Sequence, residues 1–348
     1  MTALDAPTMR AERTSSLAPL LRVDELTKHF PLRSGILNRA SAMVRAVDGI
    51  SFEVHAGETL GIVGESGCGK STTARLLMHL VRLDSGRIVF DGNEVGAARG
   101  LSRRKLHRQM QMVFQDSYAS LNPRLPVALL IAFGPLVHGV AKSAALVRAE
   151  HLLRAVGLDP MLFANRYPHE LSGGQRQRIN IARALALEPR LVILDEAVSA
   201  LDKSIEAQVL NLLVDLKTQF DLTYIFISHD LNVVRFISDR VLVMYLGKVV
   251  ELGPVDRIYR DPRHPYTRAL LSAMPSMDPR RRTTEAPLSG DPPNPINPPS
   301  GCRFRTRCAF AESVCERVPP VLELGADGRS VACHMLVPDS GHSRAAAV

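Results

Sequence analysis

An eight-residue segment, GESGCGKS, has the composition of a phosphate-binding loop. It fits the pattern G-x-x-x-x-G-K-[ST] and lies between an apolar run, LGIV, and a run with helical spacing, TTARLLMHL. The backbone N–H groups of such a loop surround phosphate oxygens, and the following helix N-terminus adds partial positive charge. Lys70 then contacts the β- and γ-phosphates, and Ser71 supplies a hydroxyl ligand for Mg²⁺. The residues expected to hold the nucleotide here are Gly64, Glu65, Ser66, Gly67, Cys68, Gly69, Lys70, Ser71 and Thr72.

A second segment supplies carboxylates at the end of a buried strand. Leu191–Leu194 is apolar, and Asp195 and Glu196 follow it directly. Asp195 in this position holds Mg²⁺ through water, and Glu196 accepts a proton from an attacking water. Combined with the phosphate loop, this segment predicts that the chain binds Mg-ATP and hydrolyses it.

The motif LSGGQ begins at Leu171, 24 positions before Asp195, and Ser172 is a good N-cap for a helix that starts there. With this motif the sequence resembles the ATP-binding cassette (ABC) proteins over about residues 21–275. The resemblance implies that two ATP molecules lie between two cassettes, and that the helix N-terminus of each cassette binds the nucleotide of the other. The residues implied in that second contact are Ser172, Gly173, Gly174, Gln175 and the D-loop residue Asp202.

The same resemblance implies roles for three further residues. Gln115, in MVFQDSYASLNPR, resembles the Q-loop glutamine that contacts Mg²⁺ and reports to the helical insert. His229, in IFISHD, resembles the switch histidine that contacts the γ-phosphate, and Phe30, in LTKHF, resembles the aromatic residue that stacks on adenine. The implied catalytic set is Glu196, His229, Gln115 and Lys70, with Mg²⁺ held by Ser71, Gln115 and Asp195.

Short β-rich runs separated by helix-length segments position these motifs and predict an α/β domain with parallel strands. The runs are Ser51–Val54, Leu60–Val63, Arg87–Phe90, Leu191–Leu194, Tyr224–Ile227 and Val241–Met244. We expect a P-loop NTPase of the ABC type, with a RecA-like core, an antiparallel β subdomain, a helical subdomain and a small cysteine-containing extension. The expected boundaries are a flexible tail at 1–20, an ATP-binding domain at 21–275 with its helical subdomain at about 116–185, a Pro-rich linker at 276–300 and the extension at 301–340.

The charge and the apolar runs of the chain limit the kinds of partner that we expect. Of 348 residues, 43 are Lys or Arg and 35 are Asp or Glu, and a net charge of +8 spread over a chain of this size is a weak sign of nucleic-acid binding. We expect no nucleic-acid partner. The richest apolar run, Val127–Val137, is too short to span a membrane and contains Pro135. The ABC resemblance implies that part of this run forms a groove for the membrane subunits of a transporter, and we expect the rest to lie in the core of the helical subdomain.

Several stretches resemble one subfamily, the ATPases of oligopeptide, dipeptide and nickel importers. They are FQDSYASLNPR, RYPHELSGGQRQRINIARAL, LDKSIEAQVLNLL, HPYTRALLSAMP and NPPSGCRFRTRCAFA. The resemblance implies a peripheral subunit on the cytoplasmic face of the cell membrane, with a paralogous ABC ATPase, two transmembrane permease subunits and an extracytoplasmic peptide-binding protein as partners. Another cargo, such as nickel or glutathione, a non-transport ABC ATPase and a non-hydrolysing regulatory cassette remain alternatives. Lys203 departs from the subfamily, which usually has an apolar residue there.

Four cysteines fall in the last fifty residues or so, in a segment too short for a good hydrophobic core. Their spacing, Cys302-x5-Cys308-x6-Cys315-x17-Cys333, lacks the close pairs of a zinc knuckle and does not select a metal. The subfamily resemblance implies a [4Fe–4S] cluster on these four residues, while zinc or free thiols remain alternatives. The nearby residues Arg303, Arg305 and Arg307 either offset the charge of such a cluster or face solvent or lipid headgroups.

Overall fold

The computed structural model describes residues 18–34, 39–98, 100–116, 118–274 and 293–345. The strands are β1 Leu21–Ser34, β2 Arg39–Val54, β3 Thr59–Val63, β4 Ser85–Phe90, β5 Asn93–Glu94, β6 Met110–Val113, β7 Leu191–Asp195, β8 Thr223–Ile227, β9 Arg240–Tyr245, β10 Lys248–Pro254, β11 Glu323–Leu324 and β12 Ser330–Val331. The helices are α1 Lys70–Leu77, α2 Arg103–Gln109, α3 Val127–Val137, α4 Lys142–Ala155, α5 Pro160–Phe163, α6 Gly173–Leu185, α7 Lys203–Gln219, α8 Leu231–Ile237, α9 Val255–Arg260, α10 Pro265–Ser272 and α11 Ser313–Arg317.

The larger sheet has the order β11-β12-β10-β9-β3-β8-β7-β6. From β9 to β6 its neighbours are parallel, and every residue of β3, β7 and β8 is buried. Continuous apolar runs of this kind suit strands that are covered on both faces. Because the strands are parallel, the loops after β6, β7, β8 and β3 all leave from the same edge of the sheet.

The smaller sheet is antiparallel, with the order β2-β1-β4-β5. Its first two strands form a long hairpin, in which Leu21 pairs with Val54 and Ser34 with Arg39. The predicted strand Ser51–Val54 is therefore only the end of β2, which begins at Arg39. The sequence showed only that end because the preceding stretch has no clean apolar alternation. Strand β6 was also not predicted.

Helices α3 to α6 form the helical region, and α3 divides its side chains between the interior and the surface. Val127, Leu130, Ile131, Ala132 and Pro135 are buried. Phe133 and Val137, in contrast, are more than half exposed, at 58% and 57%. About half of this apolar run is therefore core, and the exposed side chains are free to meet another molecule.

The cysteine-containing extension packs onto the larger sheet. Strand β12 pairs with β10, and the Ala332 N–H donates to the Val250 carbonyl over 2.9 Å. Phe304 belongs to the same apolar cluster as the main core, and Cys302 and Cys308 pack against that cluster. The extension thus shares a core with the ATP-binding domain.

The predicted flexible tail (1–20) and the predicted Pro-rich linker (276–300) fall largely on residues 1–17 and 275–292, which lie outside the described residues. At the edge of the first, Leu20 is 3% exposed, so the buried chain begins one residue before the expected boundary of the tail. At the edge of the second, the Pro295 carbonyl accepts a hydrogen bond from Arg45 N over 3.1 Å. Across the described ranges, no helix combines the length and apolar character that crossing a bilayer requires.

Candidate functional site

The phosphate loop connects β3 to α1 at the carboxyl edge of the larger sheet. Gly64 and Gly69 have φ values of 150° and 110°, and a Cβ at either would lie 2.2 Å from a backbone carbonyl oxygen. Only glycine fits these two positions, because the close approach leaves no room for a side chain. Lys70 Nζ donates to the Gly64 and Glu65 carbonyls over 2.7 and 3.0 Å, which keeps its charge inside the curve of the loop.

Ser71 and Asp195, from opposite halves of the site, contact each other directly. The Ser71 hydroxyl donates to Asp195 Oδ1 over 3.0 Å. Burial raises the pKa of Asp195 above its ordinary value, and the Ser71 hydrogen bond partly opposes that rise. A hydroxyl and a carboxylate this close form the hard oxygen pair that Mg²⁺ prefers, with phosphates and water completing its shell.

Three of the predicted catalytic residues meet at the Glu196 carboxylate. Gln115, in the loop after β6, donates its side-chain N–H to Glu196 Oε2 over 2.7 Å. His229, in the loop after β8, places Nδ1 3.5 Å from Glu196 Oε1. Glu196 itself has a left-handed backbone with φ 49°, and its N–H donates to the Ile227 carbonyl over 2.9 Å. The adjacent strands β6, β7 and β8 thus bring together residues that are up to 114 positions apart in the chain (229 − 115).

The LSGGQ segment forms a capped helix N-terminus, as predicted for Ser172. The Ser172 hydroxyl accepts from the Gln175 N–H over 3.3 Å, and the Gln175 side chain accepts from the Ser172 N–H over 3.0 Å. This reciprocal capping box starts α6 at Gly173. Ser172 is exposed and the next two glycines are half-buried, so the first turn of α6 is accessible from outside the chain.

The D-loop residue Asp202 lies beside this helix start and caps the neighbouring helix α7. It accepts hydrogen bonds from the Ser204 hydroxyl over 2.7 Å and the Ile205 N–H over 2.9 Å. These bonds lower the pKa of the Asp202 carboxyl, because they favour its charged form. The adjacent Lys203 contacts Glu206 and Asp230 within its own chain, each over 2.9 Å.

Phe30 lies on β1 with 37% of its surface exposed, and Lys28 Nζ is 5.4 Å from its ring centroid. Strand β1 pairs with β2, and the Ala46 carbonyl of β2 lies against Gly69 of the phosphate loop. An exposed aromatic face on β1 suits stacking on a flat base.

The four cysteines of the extension line one small cavity of about 20 Å³. Burial raises the pKa of Cys302 to about 12 and that of Cys333 to about 11, and the neighbouring thiols add to the rise at both. These two groups are therefore protonated thiols at neutral pH, and a metal that binds them must displace their protons. Among the described residues, no group of three or more His, Cys, Asp or Glu side chains is arranged to hold a single metal ion.

Sequence reasoning missed the contacts that the extension makes with β2 and with the phosphate loop. Arg303 pairs with Asp48, and Arg307 pairs with Glu65 of the phosphate loop. Their side chains are 9% and 5% exposed, so the expectation that they face solvent or lipid is wrong for both. Arg305 alone stays near the surface, where it contacts Ser300 and Glu316.

The fold and these motifs define an ATPase of the ABC class. The family described as "ABC transporter" matches residues 47–199, and the family described as "Oligopeptide/dipeptide transporter, C-terminal region" matches residues 250–315. The chain is 52% identical to a probable peptide ABC transporter ATP-binding protein of Sinorhizobium fredii, over 92% of this chain and 90% of the relative. It is 49% identical to the oligopeptide transport ATP-binding protein AppF of Bacillus subtilis, over 91% of this chain and 97% of the relative.

Two further comparisons agree. The di/tripeptide transport ATP-binding protein DppF of Pseudomonas aeruginosa is 48% identical over 90% of this chain and 97% of its own. The structure of cbiO1 from Clostridium perfringens, part of the ABC transporter complex cbiONQ, has a TM-score of 0.60 at 28% identity and covers 70% of this chain and 91% of that one. The chain belongs to the ABC transporter ATP-binding proteins, within the group that includes these peptide-transport relatives.

Proposed function

We propose that this chain hydrolyses ATP to drive the import of oligopeptides or dipeptides. The observation that carries the proposal is the meeting of Gln115, Glu196 and His229 beside a complete phosphate loop. The named functions of the relatives, oligopeptide and di/tripeptide transport, favour a peptide cargo over nickel or glutathione. The intact set of catalytic residues favours a hydrolysing subunit over a regulatory one.

Each side chain then has a defined task. Lys70 contacts the β- and γ-phosphates, and Ser71, Asp195 and Gln115 orient Mg²⁺. Glu196 accepts the proton of the attacking water, and the hydrogen bond from Gln115 orients its carboxylate. His229 contacts the γ-phosphate from its position beside Glu196, and Phe30 stacks on adenine. Thr72 and the loop residues 64–69 enclose the phosphates with backbone N–H groups.

The LSGGQ motif and the D-loop residue Asp202 face a second cassette in this proposal. The first turn of α6 is accessible and carries the partial positive charge of a helix N-terminus, which suits the γ-phosphate held by another subunit. Asp202 lies next to it at the start of α7. ATP then joins the two cassettes, and hydrolysis releases them, which is a shift between closed and open populations.

We propose a paralogous ABC ATPase as the second cassette, two permease subunits in the membrane and an extracytoplasmic peptide-binding protein. The chain would then lie on the cytoplasmic face of the cell membrane. Exposed apolar side chains of the helical region support a docking surface for the permeases. Phe133 and Val137 of α3 and Met161 and Leu162 of α5 are all more than half exposed.

We further propose that Cys302, Cys308, Cys315 and Cys333 hold a [4Fe–4S] cluster. The support is the convergence of four thiols on one cavity. Bound metal would replace the thiol protons and supply the cross-link that stabilises so small a segment.

Glu196→Gln tests the catalytic proposal. Glutamine keeps the size of the side chain and an oxygen that accepts from Gln115, but it takes up a proton far less readily. We expect phosphate release from the assembled pair of cassettes to fall about 10²–10⁴-fold while Mg-ATP binding is retained. Glu188→Gln is a matched control, because Glu188 is 70% exposed and contacts only Arg148 among the ion pairs of the described chain. Undiminished phosphate release in Glu196→Gln would remove Glu196 as the base.

Anaerobic purification of the intact complex tests the partners. The co-purified proteins should include a paralogous ATPase and two permeases, and a bound peptide should be recovered with the external binding protein. Gel filtration with ATP provides a second measurement. A chain that pairs neither with itself nor with a paralogue in Mg-ATP would contradict the shared site.

A further inference from the structure

The cysteine-containing extension contacts the phosphate loop through the side chain of Arg307. Arg307 Nη1 lies 2.8 Å from Glu65 Oε2, and Arg307 Nη2 lies 3.0 Å from Glu65 Oε1. Two parallel N–H donors on two carboxylate oxygens form a bidentate pair, the strongest geometry available to these groups. It joins residues 242 positions apart in the chain.

The surroundings of the pair leave the guanidinium little freedom. The Arg307 side chain is 5% exposed, and its guanidinium carbon lies 6.0 Å from the Tyr245 ring centroid. The Glu65 hydrogen bonds raise the pKa of Arg307 above its ordinary value, so the group is charged at any physiological pH. Burial this deep with a matched partner indicates a fixed contact rather than a mobile surface ion pair.

The main chain of the same residue is held as well. The Glu65 N–H donates to the Tyr266 hydroxyl over 2.9 Å. The Tyr266 ring packs against Tyr245 and Phe304, at centroid distances of 4.6 and 5.5 Å. Phe304 belongs to the extension, only three positions before Arg307. Both the backbone and the side chain of Glu65 are thus fixed by one aromatic and basic cluster.

The charge of Glu65 matters because of where the residue lies. It is the second residue of a loop whose task is to bind the most negatively charged part of ATP. An unpaired carboxylate on this loop would repel phosphate oxygens. For a separation of about 8 Å and effective dielectrics between about 80 and about 20, such repulsion weakens affinity about 2- to 30-fold. Arg307 places a positive charge on that carboxylate and cancels most of this repulsion.

We propose that Arg307 is a positioning residue of the ATP site, which acts by neutralising the Glu65 carboxylate that would otherwise repel the triphosphate. The extension thereby sets the nucleotide affinity of the chain. The inference rests on the proposed ATP-binding function and adds a residue to it from outside the cassette motifs.

Affinity measurements on four forms of the full-length chain test the proposal. The probe is a fluorescent ATP analogue titrated with excess MgCl₂ at low salt. Arg307→Ala should bind about tenfold more weakly than the unaltered chain. Arg307→Ala combined with Glu65→Gln should return to within about twofold, because no carboxylate is left to repel the phosphates. Glu65→Gln alone should bind at least as tightly as the unaltered chain.

Arg305→Ala is the matched control, since Arg305 lies in the same extension but contacts Ser300 and Glu316. Its affinity should be unchanged. Salt supplies a readout that a purely structural loss would not move. The Debye length falls from about 30 Å at 0.01 M to about 3 Å at 1 M, so the deficit of Arg307→Ala should shrink steeply over that range.

Two results would overturn the proposal. If Arg307→Ala binds as tightly as the unaltered chain, or if the double variant is as weak as Arg307→Ala, the proposal is overturned. Should Arg307→Ala fail to fold, Glu65→Gln decides alone, because affinity that falls tenfold there would contradict charge neutralisation. If the unaltered chain itself does not bind the probe, the proposed function fails rather than this inference.

Discussion

An added methyl group at Gly174 should destabilise the fold, whereas the same change at Gly173 should leave the fold intact and impair ATP turnover. The two glycines are adjacent in the first turn of α6. A Cβ at Gly174 would lie 2.6 Å from Ile205 Cγ2, but a Cβ at Gly173 would meet only Leu201 Cδ2 at 3.9 Å, an ordinary contact. The two substitutions therefore distinguish a steric effect on the stability of the fold from an effect on the function of the LSGGQ motif.

The magnitude follows from two opposing effects. Alanine is favoured over glycine in a helix by about 1 kcal/mol. Overpacking costs about 1–3 kcal/mol, and the upper part of that range applies here because the β-branched Ile205 has a stiff χ1. Gly174→Ala should therefore lose about 1–2 kcal/mol of unfolding free energy, which lowers Tm by roughly 1–3 °C for a chain of this size. Gly173→Ala should show an unchanged or slightly higher Tm.

Thermal unfolding of the full-length chain measures the first effect, and a double-mutant cycle with Ile205→Ala tests its cause. Removing Cγ2 should make Gly174→Ala almost harmless, with a coupling of about 1 kcal/mol or more. Equal Tm values for the two alanine variants, or an additive cycle, would refute the steric argument. ATP turnover by the assembled cassettes measures the second effect, and full activity of Gly173→Ala would refute the role of the first turn of α6.

Two further predictions concern His264 and the cysteines. Burial lowers the pKa of His264 from 6.5 to about 3, so below pH 6.5 the unfolded chain binds a proton that the fold excludes, and stability should fall as pH falls. Between pH 7 and 5.5 this loss of unfolding free energy is about 1.3 kcal/mol. It should disappear in His264→Asn, because asparagine retains a side-chain acceptor at this helix N-cap but does not titrate. The same pH dependence of Tm in that variant would contradict the assignment to His264. For the cysteines, elemental analysis of the anaerobically purified chain should find iron. The amount of iron should fall in Cys308→Ser and stay the same in Cys68→Ser. Zinc in place of iron, no metal, or an unchanged amount of iron in Cys308→Ser would refute the cluster.

The local patterns of the sequence were sufficient for the motifs and their elements. The phosphate loop is a strand, a glycine-rich turn and a helix in uninterrupted order, and Gly64, Gly67 and Gly69 supply the positive φ angles of that turn. Ser172 was predicted as an N-cap because its hydroxyl and the Gln175 amide lie three residues apart, a spacing that closes a capping box without help from the rest of the chain.

Patterns of continuous hydrophobicity were less informative. The run Val127–Val137 shows no polar face, so the sequence did not indicate which side chains are buried. Packing of α3 against α4 and α6 decides that Ile131 is buried and Phe133 is exposed. Short strands such as β6 gave no signal of their own, because their strand state depends on pairing with β7.

The sequence by itself determined that this chain has a phosphate loop, an acidic strand end and a capped signature helix, because each is encoded in neighbouring residues. Only the tertiary structure decided that Gln115, Glu196 and His229 meet, since this depends on the order in which distant strands pair. The same holds for Arg307 and Glu65. Arg303, Arg305 and Arg307 alternate along one short stretch and are indistinguishable by residue type, and packing alone selects Arg307 to be buried against the phosphate loop.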